Sequence, residues 1–207
     1  MMNFNFNVSE LIFILPELFL LSAISFILLF DLFVSEKYKK YSYHLSQLAL
    51  IITGFLAFNL IGESATIFSG TFVLDNLGST FKVFVLGFSV IALVYSRQYL
   101  IVHELLRNEY FILALMSILG MMVMISGHSL LTLYLGLEIM SLSLYALIAT
   151  ARDRAFAIEA ALKYFVLGAI ASGLLLYGMS MVYGITGGLD IAQISNFASS
   201  STLDSQE

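Results

Sequence analysis

The feature that most constrains this 207-residue chain is a succession of long apolar blocks separated by short polar gaps. The blocks run to about 17–29 residues, and at 1.5 Å per residue a helix of that length crosses about 30 Å of hydrocarbon. They are apolar on all faces, whereas a soluble helix turns a polar face to water every few residues. A membrane β-barrel would instead show alternating segments of about ten residues. The chain is therefore read as all-α, a polytopic transmembrane helical bundle of about six helices. The predicted spans are about Leu11–Phe33, Leu45–Ile61, Leu77–Val102, Tyr110–Ser126, Ser129–Thr150 and Phe156–Gly184. Residues 1–186 form the membrane region in this reading. Residues 187–207, with Ser199, Ser200, Ser201 and then Asp204-Ser205-Gln206-Glu207, have the composition of a polar exterior tail or truncated loop.

Composition agrees with that class. Hydrophobic residues make up 60% of the chain and charged residues 11%, against about 25% charged in a soluble domain. Cysteine is absent, which excludes disulfides, thiolate zinc knuckles and thiolate iron–sulfur sites from these residues. His44, His103 and His128 are scattered over predicted loops and turns, so no metal site is expected. A net charge of −5 gives no basic footprint for nucleic acid. Met1 to Glu10 contain no Lys or Arg, so the basic start of a signal peptide is missing and the first block is read as a retained helix.

The loop cations set a direction. Lys37, Lys39 and Lys40 lie between helices one and two, Arg97 and Arg107 around the connection from three to four, and Arg152 and Arg154 between five and six. The opposite segments carry Glu10, Glu63, Asp75 and Asp190 instead. With six crossings all these cations fall on one side, which the positive-inside rule makes the cytoplasmic or matrix side, with the N-terminus outside.

An ionisable residue inside a membrane helix costs roughly 2.5–3.5 kcal/mol on insertion scales, so each one needs a reason. Glu138 lies near the middle of predicted helix five and Lys163 inside predicted helix six. Counted from the loops, their depths differ by a few ångströms, so an ion pair between antiparallel neighbours is expected. Glu159 precedes Lys163 by one turn on the same face. Ser141 and Tyr145 extend a polar stripe from Glu138. Ala157, Ala161, Gly168, Ala171 and Ser172 form a small-residue face that lets another helix approach. A Lys held in a dry pocket by a nearby carboxylate is a switchable proton site; the competing reading is a structural pair that fixes helix register. Glu17, after Pro16, is read as interfacial, with a buried functional role as the alternative. Lys82 is read as a snorkelling anchor, and Asp31 as a partner for the basic loop. His128, beside Gly127, is read as a turn residue ahead of a proton-uptake role. Met116, Met121, Met122 and Met124 are read as packing residues. Gly187-Gly188 lacks the Lys and following helix of a phosphate loop.

The stretch Leu131–Leu147, LTLYLGLEIMSLSLYAL, resembles helix five of subunit N of the proton-pumping NADH:quinone oxidoreductases (respiratory complex I), whose mitochondrial counterpart is subunit 2. Ile158–Ala169, IEAALKYFVLGA, is similar to helix six of that subunit; Leu15-Pro16-Glu17-Leu18 and Glu109-Tyr110-Phe111-Ile112-Leu113 fit as well. Related antiporter-like subunits tend to carry Trp before the helix-five Glu, whereas Leu137 stands here and the chain has no Trp, which favours subunit N. The resemblance implies a membrane subunit of an NADH:quinone oxidoreductase translocase. Glu138 and Lys163 would form the charged pair of a proton-translocating half-unit, with Glu159, His128 and Glu17 as secondary candidates. It implies no redox cofactor on this chain; NADH, FMN, iron–sulfur clusters and quinone would belong to other parts of the complex. The implied partners are other membrane subunits, the lipid bilayer and, through the complex, the quinone pool. The implied location is a bacterial inner membrane, with the mitochondrial inner membrane as the alternative. Family members are roughly twice this length, with about fourteen helices in inverted repeats, so the chain corresponds to the N-terminal portion. A subunit of a multi-subunit cation/proton antiporter, or a non-functional truncated fragment, are the alternatives.

Overall fold

The computed structural model describes residues 8–33 and 40–204. The loop lysines Lys37 and Lys39 lie outside the described residues. A 3-10 stretch, Val8–Ile14, leads into α1, Leu15–Phe33. Pro16 sits in the first turn of α1, where its missing N–H costs nothing because that donor has no helical acceptor. Then follow α2 (Lys40–Asn59), a two-stranded hairpin of β1 (Ala65–Ile67) and β2 (Phe72–Leu74), α3 (Asn76–Val102), α4 (Asn108–Ser126), α5 (Leu130–Ile148), α6 (Ala155–Thr186) and α7 (Ile191–Asp204). Asp75 caps α3 by accepting from Gly78 N at 2.7 Å. Gly187, at φ 71°, ends α6 in the left-handed conformation that needs no Cβ.

The predicted spans fall on α1 to α6. Five helical stretches, those containing α1, α3, α4, α5 and α6, are long and apolar enough to cross a membrane on length and composition. α2 is more polar, yet its 20 residues reach about 30 Å. It begins at Lys40 rather than near Leu45, because its polar residues face the bundle rather than lipid. Ser42, Ser46 and Thr53 are fully buried, and the Ser46 and Thr53 hydroxyls donate to Ser42 O and Ala49 O at 2.8 and 2.7 Å. The segment read as a polar tail carries α7.

α4 is the centre of the bundle. Phe111, Leu115, Ile118 and Met122 pack with Leu20, Ile24 and Ile27 of α1, Leu50 of α2 and Leu86 and Leu93 of α3. α5 crosses α4 at glycine on both sides. A Cβ on Gly120 would lie 2.6 Å from Met140 N and 2.7 Å from Gly136 O, and one on Gly136 would lie 2.9 Å from Gly120 O. α6 stands at the edge, with Ala161 as its buried residue.

The connections sort into two ends. At one end His128 N donates to Thr71 O at 3.0 Å, Leu130 N to Leu189 O at 2.9 Å, and Ile191 N to His128 O at 3.2 Å. The hairpin, the α4–α5 turn and the α6–α7 connection are thereby joined. At the other end Arg107 pairs with Asp153 and Arg152 with Glu109, each at 2.6 Å, and Arg154 donates to His103 O at 3.0 Å. Arg97 stacks over the Tyr43 ring at 4.3 Å. The helices thus alternate in direction, and the described cationic loops share one end.

Candidate functional site

Glu138 lies in the middle of α5, eight residues from its start. Its Oε1 accepts a hydrogen bond from Ser172 Oγ of α6. Tyr134, one turn earlier on the same helix, brings its phenol to the same carboxylate. Lys163 does not reach Glu138. Its Nζ lies 2.6 Å from Oε1 of Glu159, with the two side chains 71% and 63% exposed on the outer face of α6. The expected Glu138–Lys163 contact is therefore replaced by two separate sites, Glu138 with Ser172 and Lys163 with Glu159.

The cause is an axial offset. α6 has 32 residues and α5 has 19, and the six-residue connection from Ala149 to Arg154 lets α6 start beyond the end of α5. Tyr145, in the last turns of α5, meets the rings of Tyr164 at 4.7 Å and Phe165 at 5.8 Å. Its phenol oxygen occupies the space that a Cβ on Gly168 would need. Ala149 lines one small cleft with Ile158, Ala161 and Leu162. Lys163 is thus level with the end of α5, while Ser172, nine residues on and about 13 Å along the axis, is level with Glu138. Equal depth would require helices that start together, and these do not.

A second charged site lies between α1 and α3. Lys82 Nζ is 2.5 Å from Glu17 Oε1, and the two side chains are 2% and 6% exposed. The Phe72 ring of the hairpin covers the ammonium at 5.0 Å. Glu17 is therefore buried rather than interfacial, and Lys82 is an ion-pair partner rather than a snorkelling anchor. Beyond one another, neither finds a hydrogen-bonding partner among the described residues, and the nearby Ser79 Oγ is also buried without one. The signal that could have found this pair is opposite charge near the same end of two helices that run in the same direction. A further acid, the half-buried Asp31 of α1, accepts from Ser42 Oγ. Its described partner is thus a serine.

His128 acts through its backbone, which ties the α4–α5 turn to the hairpin and to the start of α7. Among the described residues no three His, Asp or Glu side chains assemble into a group that could hold a metal ion.

The fold and its intramembrane charges define a class, the multi-pass helical membrane proteins that carry ionisable groups inside the bundle. The family described as NADH:quinone oxidoreductase/Mrp antiporter, TM matches residues 127–206, which include Glu138, Glu159, Lys163 and Ser172. A protein of Ruthia magnifica subsp. Calyptogena magnifica named NADH-quinone oxidoreductase subunit N is 65% identical over 98% of this chain and 42% of its own length. One of the same name from Thioalkalivibrio sulfidiphilus is 48% identical over 93% of this chain and 40% of its own length. Over the length it shares with them, the chain is similar to proteins named NADH-quinone oxidoreductase subunit N. It spans well under half of these relatives. Among solved structures, the respiratory complex I of Thermus thermophilus with bound aureothin superposes with a TM-score of 0.70 and 27% identity, over 84% of this chain and 38% of that one. An archaeal membrane-bound sulfane sulfur reductase, at 23% identity and a TM-score of 0.71 over 88% of this chain and 39% of that one, shares the fold.

Proposed function

We propose that the chain is the N-terminal part of a membrane subunit of an NADH:quinone oxidoreductase, and that it contributes to proton translocation coupled to quinone reduction. The observation that carries this is the 65% identity, over 98% of the chain, to a protein of that name. Glu138 supports it physically, since a carboxylate inside a membrane helix is costly unless it is used or paired. In this reading Lys163 with Glu159 is a proton-handling station level with the basic end of the bundle, and Glu138 is a second station about 13 Å further along α6. His128 and Glu17 are secondary candidates. The chain itself holds no redox group; NADH, FMN, the iron–sulfur clusters and quinone belong to the wider complex. Its partners are the other membrane subunits, lipid and, through the complex, the quinone pool.

The cationic connections face the cytoplasm of a bacterium, and the hairpin, the N-terminus and α7 face outside. The antiporter reading keeps a place because the matched family includes the Mrp antiporters. Copurification separates the two: quinone-reductase subunits support the first reading, and sodium-dependent proton exchange without them supports the second.

The test is Glu138→Gln in the complete enzyme, with proton release and quinone reduction measured in closed vesicles. Coupled proton release falls at least about tenfold, which corresponds to about 1.4 kcal/mol, while the assembled enzyme stays at wild-type level. Wild-type coupled turnover would remove Glu138 from the path.

A further inference from the structure

Most of the hydrogen-bonded serines inside the helices turn back on their own backbone. The hydroxyls of Ser46, Ser89, Ser117, Ser141 and Ser143 donate to carbonyls of their own helix three or four residues back, the usual fate of a helical serine. Ser172 donates instead across the gap between α6 and α5, to the carboxylate of Glu138. Ser42 does the same from α2 to Asp31 of α1, but that pair lies outside the site described above. A carboxylate binds a serine hydroxyl better than a carbonyl of the serine's own helix does.

We propose that Ser172 is a positioning residue for Glu138, holding its carboxyl group against α6 in both protonation states. This deepens the reading of Glu138 as a proton station and rests on it. The chemistry lies in the hydroxyl, which is both donor and acceptor. It donates to the ionised carboxylate, and when Glu138 takes up a proton it accepts from the carboxylic acid. The contact therefore survives each proton transfer, and the side chain need not swing to find a new partner. No carboxamide or ammonium offers this at one atom. Gly168 and Gly173 flank the site on α6, and Ser172 lies nine residues from Lys163, so the contact also keeps Glu138 at its own level rather than at the level of the lysine.

The experiment uses the complete enzyme in closed vesicles, with Ser172→Ala and Ser172→Thr, each alone and combined with Glu138→Gln. Ser172→Ala lowers the ratio of protons released to quinone reduced by about three- to tenfold, the scale of one lost hydrogen bond. Ser172→Thr, which keeps the hydroxyl, restores it, and Ser172→Ala has no further effect when Glu138 is already Gln. A residue that only packs would respond to volume instead, so Thr would be the worse variant and Ala the milder one. The second readout is the infrared carboxyl stretch that disappears in Glu138→Gln. It moves to higher frequency in Ser172→Ala and returns in Ser172→Thr. A wild-type proton ratio together with an unmoved band in Ser172→Ala overturns the proposal. If Glu138→Gln itself pumps normally, the proton-station reading falls, and the shift of the band alone decides whether Ser172 holds the carboxyl group.

Discussion

Glu17 and Lys82 are each other's partner, at 2.5 Å and out of contact with solvent. Removing one charge strands the other in a space that Phe72 closes. Breaking such a pair from one side typically costs about 3–5 kcal/mol, whereas removing both charges costs far less. Glu17→Gln and Lys82→Met are each expected to lower the unfolding midpoint of the purified enzyme sharply and to reduce assembly. The double variant is expected to regain most of both. Thermal unfolding and the yield of assembled enzyme check this, and a double variant as weak as the worse single one would mean that the charges do more than balance each other. Glu138 is different, because its partners, Ser172 and Tyr134, are neutral hydroxyls and its loss strands no opposite charge. The sequence marked Glu138 and Lys163 as costly and paired them by depth counted from the loops, while Glu17 was read as interfacial and Lys82 as an anchor. That count succeeds only if neighbouring helices begin together. Lys163 found its partner one turn away at Glu159, and Glu138 found Ser172, which as a small residue carried only a packing signal.

Among the elements, α4 and α5 meet most closely. The two glycines let the backbones touch, with each imagined Cβ inside 3 Å of the other helix's backbone. Gly120→Val and Gly136→Val are expected to separate α5 from α4 and to cost at least about 3 kcal/mol, the upper range for forcing extra groups into a packed site. Gly173→Ala, where nothing lies within 4 Å of the added Cβ, is expected to be silent. The abundance of each variant in purified membranes reads the difference. The apolar blocks made α1 and α3 to α6 legible, because lipid demands unbroken hydrophobic runs. α2 was harder to bound, since Ser42, Ser46 and Thr53 look like breaks in a span until they are seen to face inward. α7 was missed because a helix of 14 residues that mixes Ser, Ala and Ile lacks the length of a span and its polar composition reads as a loop.

For the whole molecule, the absence of cysteine offers a direct test of direction. A single cysteine placed at Gly62, between α2 and the hairpin, is expected to react with a membrane-impermeant maleimide applied from outside intact cells. One placed at Ala151, between α5 and α6, is expected to react only after the membrane is opened. The reverse pattern would invert the assignment of sides. The ties at the two ends carry a mechanical consequence as well. α5 and α6 are fastened to the rest at the hairpin end by backbone hydrogen bonds and at the basic end by arginine–carboxylate contacts. A body pinned at both ends cannot open like a door. The freedom left to α6 is to turn about its own axis or to slide along it, and over a tyrosine seated on a glycine even a small turn would engage or release a side chain as a cam does.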